Sequence, residues 1–515
     1  GVKYGLWVRG PDGAFTRIGG DEAGPGELGA VIGASADLSH VVFYFGNGSL
    51  LYEWVGTGND GPLPVVSVDN HGLEQSSCFN SVSADGRVIV YSAGCPLGVP
   101  QVWARVGGSA SVLVSGSECT RTSGDPGGAC NATAGATYWG AAADGSRVYF
   151  TSTQQLVNGD TDQSNDLYEC DIPPGDPAPV GTANPCASLS EVSHSVTGAN
   201  VENVVNVSED GSRVYFVATG VLAANLGSND ATAVAGDHNL YVSEKDAAHP
   251  AGQTTFVAKL ESNGVGSVAG SVQSTADGRY LVFATANKLL ASDTDEATDV
   301  YRYDALTGAL LRLSTDTSGT GGNATGFGAS LPLPTPNHVH NAMTDDGSTV
   351  VFTTTEALSP ADTDGVTDVY EWHDGQVSLI SNGGGVAEGI TSSGHDIFFV
   401  TNEPLTAGDS GTEGDFYDAR VDGGFPVSGS TICSGEACQG APALAPQAPG
   451  TSATATFNGL GSPLTAETPP SNPKPKPQSA AQKLAKALKA CKSKHNKKKR
   501  AACEKRARNT YRRGK

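Results

Sequence analysis

Three stretches of the chain carry aspartates at one spacing: DTDQSNDLY from Asp160, DTDEATDVY from Asp293 and DTDGVTDVY from Asp362. Loop positions one, three and seven are Asp160, Asp162 and Asp166 in the first, and Asp293, Asp295 and Asp299 in the second. In the third they are Asp362, Asp364 and Asp368. Carboxylates so spaced can converge on a hard cation, because Ca²⁺ takes about six to eight oxygen ligands. The loops lack the position-five acid or amide and the final Glu of an EF-hand. Asp-Thr-Asp also suits Asx turns that cap the entry to a strand, and this local role accounts for much of the pattern. A worn copy, DSGTEGDFY, starts at Asp409. Calcium is the one cofactor these residues suggest.

Other constellations carry less. Gly408-Asp409-Ser410-Gly411 has the letters of a serine-protease nucleophile loop, but it lies inside the worn acidic copy and lacks a triad's surroundings. No Gly-x-Ser-x-Gly elbow occurs. His338 and His340 could place two metal ligands on one strand face, yet in a Pro/Asn loop they read as surface residues. With 54 acids in the chain, any pair of carboxylates is uninformative about glycoside chemistry. No catalytic residue is assigned, and nothing compels an enzyme.

The elements that position the acidic loops recur. The first half of each unit reads SADLSHVVFYF from Ser35, SADGRVIVY from Ser83, AADGSRVYF from Ala142 and SEDGSRVYF from Ser208. It continues as TADGRYLVF from Thr275, TDDGSTVVF from Thr344 and TSSGHDIFFV from Thr391. Asp caps a turn, Gly supplies a positive φ, and the apolar run that follows suits a strand covered on both faces. A second strand follows in each unit, marked by an apolar residue and then an aromatic, as in Leu167-Tyr168, Val300-Tyr301 and Val369-Tyr370. In the clearest units a Gly turn and an outer strand complete the set, as in RYDALTGALLRLST from Arg302. Four strands per repeat is a propeller blade.

The turns at Asp37, Asp85, Asp144, Asp210, Asp277, Asp346 and Ser393 are 48, 59, 66, 67, 69 and 47 residues apart. A typical blade takes roughly 40–45, so the excess predicts long loops, the usual carriers of function on a rigid scaffold. Leu6-Trp7 and AFTRIG add an aromatic and an outer strand without a first half. Seven blades are expected and eight stay open; the extra strands either close the ring on the last blade or belong to a blade lost upstream. Trp7, Trp54, Trp103 and Trp372 lie in or beside aromatic strands, and this regular placement predicts packing between blades rather than a sugar-stacking surface.

The repeat resembles the WD40-like unit of the TolB family of β-propellers, with TADGRYLVF…TDVYRYDALTGALLRLST the nearest copy. The resemblance spans roughly residues 1–425 and implies a binding scaffold by analogy. The long Asp-rich insertions depart from the short TolB blade and make a TolB-type partner doubtful.

The chain carries a formal charge of −22, unevenly placed. From Lys474 onward there are 17 Lys and Arg against one acid, Glu504, a net of +16. The rest holds 15 basic and 53 acidic residues, a net of −38. The expected organisation is an all-β propeller over 1–430, an Ala/Pro/Thr-rich linker over 431–478 and a basic helical hairpin over 479–515. In the hairpin, Leu484, Leu488 and Cys491 share one helical face, as do Cys503, Ala507 and Tyr511. A Cys491–Cys503 disulfide would staple two helices too small to fold unaided. The segment LAKALKACKSKHNKKKRAACEKRARNTY resembles tails of extracellular actinobacterial-type proteins, which implies export. Lys497, Lys498, Lys499 and Arg500 are its candidate polyanion contacts.

Ten cysteines fall in near pairs: Cys78 with Cys95, Cys119 with Cys130, Cys170 with Cys186, Cys433 with Cys438, and Cys491 with Cys503. Even numbers in local pairs predict disulfides formed in an oxidising compartment. No apolar run approaches the ~18 residues of a membrane helix. The expected protein is secreted or at the cell surface: a non-catalytic binding or scaffold propeller held at the envelope by its tail. Its loops would meet a protein or envelope polysaccharide, and its tail an anionic envelope polymer rather than nucleic acid. The alternatives are a lyase or glycosidase with its site at the propeller mouth, or a portion of a larger surface protein.

Overall fold

The computed structural model describes residues 7–421, apart from 10–12, 18–27, 46–48, 57–62, 96–97, 132, 176–185, 196, 261–271, 317–327, 334–340, 382, 407–408, 410 and 412. The linker and the basic hairpin lie outside the described residues. So do His338 and His340, the polyanion candidates Lys497, Lys498, Lys499 and Arg500, and the cysteines Cys433, Cys438, Cys491 and Cys503.

The described elements are almost all strands, in a two-stranded hairpin followed along the chain by seven antiparallel sheets. The first three blades comprise Leu28–Ala34, His40–Phe45 and Leu51–Val55; then Ser77–Val82, Val88–Ala93, Gln101–Val106 and Ala110–Leu113; then Ala136–Ala141, Arg147–Ser152, Asp166–Asp171 and Ser188–Glu191. The fourth and fifth comprise Val201–Val207, Arg213–Ala218, His238–Glu244 and Gln253–Leu260; then Val272–Ser274, Tyr280–Thr285, Asp299–Asp304 and Ala309–Arg312. The sixth has Thr349–Thr354, Asp368–His373 and Gln376–Leu379, and the seventh Val386–Ile390, Asp396–Thr401 and Asp415–Arg420. Within each sheet every strand pairs with the next in sequence. First strands of successive blades lie side by side, from the first blade through the fifth. The described residues form a seven-bladed β-propeller.

Among the described residues, four blades have four strands and three have three. In the sixth, the inner edge survives as isolated bridges, Ser330 to Thr353 and Met343 to Val350, and Pro332 follows the first of them closely. In the first, the outer edge is a bridge from Tyr52 to Val65, next to Pro64. Proline has no N–H to give a ladder, so regular pairing stops there. The strands Trp7–Arg9 and Phe15–Arg17 pair with each other, and no described pairing joins them to the seventh blade.

The core lies between blades. The second strand of the third blade sends Val148 and Phe150 into a cluster shared with the second blade, and Tyr149 into one shared with the fourth. An apolar run without alternation is thus covered on both faces. Trp54, Trp103 and Trp372 are buried, but Trp7 is 56% exposed, because its hairpin has no covering blade among the described residues.

The Asp-Gly turns join neighbouring blades. Asp210 Oδ1 accepts from the Ser208 hydroxyl at 2.7 Å and the Ser212 amide at 2.9 Å, and Asp277 and Asp346 repeat the pattern. The turn amides reach the next turn: Ala36 N to Ala84 O, Ala84 N to Ala143 O and Ala143 N to Glu209 O. Gly145, Gly211 and Gly278 need glycine twice over. Each has φ between +65° and +71°, and a Cβ would fall within 2.8 Å of Val88, Ala142 or Ser208 in the preceding blade.

Candidate metal centre in the acidic loops

The acidic loops join the second and third strands of the third, fifth and sixth blades. In an up-and-down sheet these connections lie opposite the Asp-Gly turns, with the links that run from blade to blade. The three carboxylates come together in each loop, with one oxygen from each within 4.8 Å of the others. All nine aspartates expected from the sequence are therefore gathered three by three. The first and third of every loop are buried, and only Asp364 among the middle ones is exposed. The loops thus turn most of their charge inward.

The first aspartate is held by the tyrosine eight residues on. The hydroxyls of Tyr301 and Tyr370 donate to Asp293 Oδ2 and Asp362 Oδ2 at 2.6 Å, and Tyr168 and Tyr417 donate likewise to Asp160 and Asp409. Asp409 therefore serves the worn loop, with Oδ1 accepting from the Gly411 amide at 2.9 Å. These tyrosines sit by register on a second-strand phenylalanine, with ring centroids 5.7 Å apart for Phe150–Tyr168 and 6.0 Å for Phe352–Tyr370. The middle aspartate makes an Asx turn: Ser164, Ala297 and Val366 donate backbone N–H groups to Asp162, Asp295 and Asp364 at 2.7, 2.6 and 3.0 Å.

The third aspartate is met by a serine beyond the outer strand. Ser193, Ser314 and Ser381 donate to Asp166, Asp299 and Asp368 at 3.3, 2.5 and 2.7 Å. The same serines accept the amides of Leu167, Val300 and Val369 at 2.9, 3.0 and 2.9 Å. The second blade keeps the device without the acid, as Ser115 takes the Val102 amide and donates to Gln101.

The three loops differ at a fourth corner, the outer-strand residue opposite the tyrosine. By register this is Glu191 opposite Tyr168, Arg312 opposite Tyr301 and Leu379 opposite Tyr370. Arg312 is buried, with Nη1 3.3 Å from Asp299 Oδ2 and 3.7 Å from Asp293 Oδ1. Glu191 instead adds a fourth carboxylate, which His194 meets at 3.1 Å. Burial first, then Asp162 and Glu191, pushes Asp166 up to about 7. Burial likewise raises Asp299 to about 6, although Ser314 and Arg312 pull the other way. Burial also raises Asp368, and the nearby charges of Asp362 and Asp364 add to it. Sequence reasoning missed the fourth corner. Its signal is the residue two before the serine, in Glu191-Val192-Ser193, Arg312-Leu313-Ser314 and Leu379-Ile380-Ser381.

Three of the expected disulfides are present: Cys78–Cys95, Cys119–Cys130 and Cys170–Cys186. The first two fasten the loop end of the second and third blades, and the third closes the hairpin before Ser188–Glu191 at the turn end. The other two expected pairs, Cys433 with Cys438 and Cys491 with Cys503, fall outside the described residues.

No protein-family model matches the chain, and no curated protein matches it. Solved structures of propellers are similar to it at low identity. A TolB protein from Agrobacterium tumefaciens is 15% identical, covering 56% of this chain and 81% of its own, with a TM-score of 0.27. The β-propeller domain of the Trilobed protease from Pyrococcus furiosus is 10% identical, covering 72% and 91%, with a TM-score of 0.31. Prolyl oligopeptidase B from Galerina marginata is 13% identical over 76% of this chain, with a TM-score of 0.33; the chain spans 49% of that protein's length.

Proposed function

We propose that this chain is an exported, non-catalytic binding propeller, retained at the cell envelope by its basic tail. The observation that carries the reading is where apolar side chains stay exposed. Leu73, Val99, Leu226, Val234, Val366 and Leu405 are between 40% and 63% exposed. All six lie in strand-two-to-three connections or blade-to-blade links, and so at the loop end. At the turn end, Leu38, Leu306 and Val421 are the exposed large apolar residues among those described, fewer than at the loop end. A contiguous exposed apolar patch marks a place where another macromolecule docks, and these six residues share one end of the propeller. A protein or envelope polysaccharide would meet this end of the propeller.

Three local disulfides support assembly in an oxidising compartment. No helix among the described residues is long and apolar enough to cross a membrane. The tail, net +16 on a body of net −38, supports attraction to anionic envelope polymers. The test compares the full chain with a variant lacking residues 474–515 on isolated cell envelopes washed with increasing NaCl. The full chain should stay bound at low salt and elute as salt rises, while the shortened chain washes off at once. Equal retention of the two would overturn the anchor. For the loop end, V99S/L226S/V234S should lose chemical cross-links to an envelope component that the parent chain forms. Unchanged cross-linking would remove the loop end from the reading.

A further inference from the structure

The fifth and sixth blades carry the same three aspartates in the same loop, yet only the fifth supplies a positive charge at the fourth corner. There, the Arg312 guanidinium lies 3.3 and 3.7 Å from Asp299 and Asp293. It is a cation already seated on this ligand set. In the sixth blade the matching residue is Leu379, and Asp362, Asp364 and Asp368 face one another without a described basic partner. Asp362 is only 6% exposed. Its Oδ2 takes the Tyr370 hydroxyl, and its Oδ1 is buried without a hydrogen bond among the described residues. A buried carboxylate oxygen left unmatched costs stability unless something positive reaches it.

We propose that the Asp362–Asp368 loop binds one calcium-type divalent cation through Asp362, Asp364 and Asp368, in the place that the Arg312 guanidinium takes in the fifth blade. The geometry suits Ca²⁺. Oxygens bound at about 2.4 Å to one ion can be at most about 4.8 Å apart, and these three carboxylates meet within 4.8 Å. Mg²⁺ fits less well, since it demands a tight octahedron and keeps most of its water. Only three side chains ligate, and one is exposed, so water or backbone carbonyls complete the shell. The affinity expected of such a site is weak, with Kd of about 10⁻⁴–10⁻³ M, as in extracellular modules. The inference does not depend on export or on the basic tail.

The experiment is equilibrium dialysis of the full chain against radioactive calcium, with L379R and D364N alongside. L379R copies the fifth blade's guanidinium into the sixth. It should bind one calcium fewer per chain while unfolding in EGTA at a urea midpoint no lower than the parent's. D364N removes an exposed ligand without disturbing the buried ones, and should weaken that site about tenfold or more. In the parent, calcium at ten times its Kd should raise the folding equilibrium about tenfold, and L379R should lose that share of the response. A parent that binds no calcium would overturn the proposal. So would a calcium count and affinity left unchanged by both variants. If L379R does not fold, D364N alone decides by the same criterion.

Discussion

Removing Arg312 should destabilise the propeller by an amount that grows with pH. The guanidinium is buried between two buried carboxylates, 3.3 Å from Asp299 and 3.7 Å from Asp293. At an effective dielectric of about 20, those attractions are worth about 5 and about 4.5 kcal/mol gross. Arg312→Leu also removes the guanidinium's own desolvation cost, so the net loss is smaller. Breaking a buried pair from one side leaves uncompensated charge and costs about 3–5 kcal/mol. Asp299 sets the pH dependence, because burial already lifts its carboxyl to about 6. Between about pH 4, where the unfolded carboxyl titrates, and pH 6, the folded protein holds a proton that the unfolded chain has released. This contribution is fully present at low pH and is lost as pH rises through 6. Without Arg312 the folded value climbs higher, so the variant keeps losing stability above pH 6, where the parent levels off. Each further unit adds about 1.4 kcal/mol. Urea unfolding in EGTA should show a small deficit at pH 5 and about 3–5 kcal/mol at pH 8. Equal deficits at both pH values would refute the protonation argument, and no deficit at either would refute the buried-pair argument.

Two other perturbations follow from the turns and the disulfides. Leu38 stands where the other units have glycine and holds φ +59°; L38G should relieve a left-handed leucine and raise stability by about 1 kcal/mol, read as a higher Tm. A lower Tm would mean that the leucine's contacts outweigh its backbone. Cys170–Cys186 closes a separation of 16 residues between buried cysteines, and C170A/C186A should lose about 3 kcal/mol in urea. C119A/C130A, with a separation of 11 and half-exposed cysteines, should lose less. Reversed order would show that loop closure is not what these bonds contribute.

The repeating architecture was legible because its signals are local. An Asp caps its own turn, a Gly takes its own φ, and Phe352 and Tyr370 announce strands that pair directly. The carboxylate clusters were legible for the same reason, since positions one, three and seven lie in one loop. What escaped was set by register. Arg312 reaches Asp299 across a hairpin whose pairing cannot be counted from composition, and Leu379 in its place looks like any outer-strand leucine. The burial of the aspartates also escaped, because composition does not show Tyr370 drawing Asp362 inward. Trp7 misled in the opposite sense, since an aromatic-strand pattern does not reveal whether a neighbouring blade covers it.

The glycines at the turns carry one more consequence. Gly145, Gly211 and Gly278 each leave no room for a single carbon against the blade before them. An added residue in these turns would wedge two sheets apart, and the next joint along would inherit the error. Several blades nevertheless run well past the usual length, with turns as much as 69 residues apart. Much of that surplus sits at the other end, as in the stretch from Thr219 to Asp237, where no such joint forbids it. The molecule is therefore polarised between Asp-Gly turns that tolerate no growth and loops at the opposite end that absorb it. New segments can be tried on the second without renegotiating how the sheets fit together, so a single scaffold can change what it meets while its assembly stays the same.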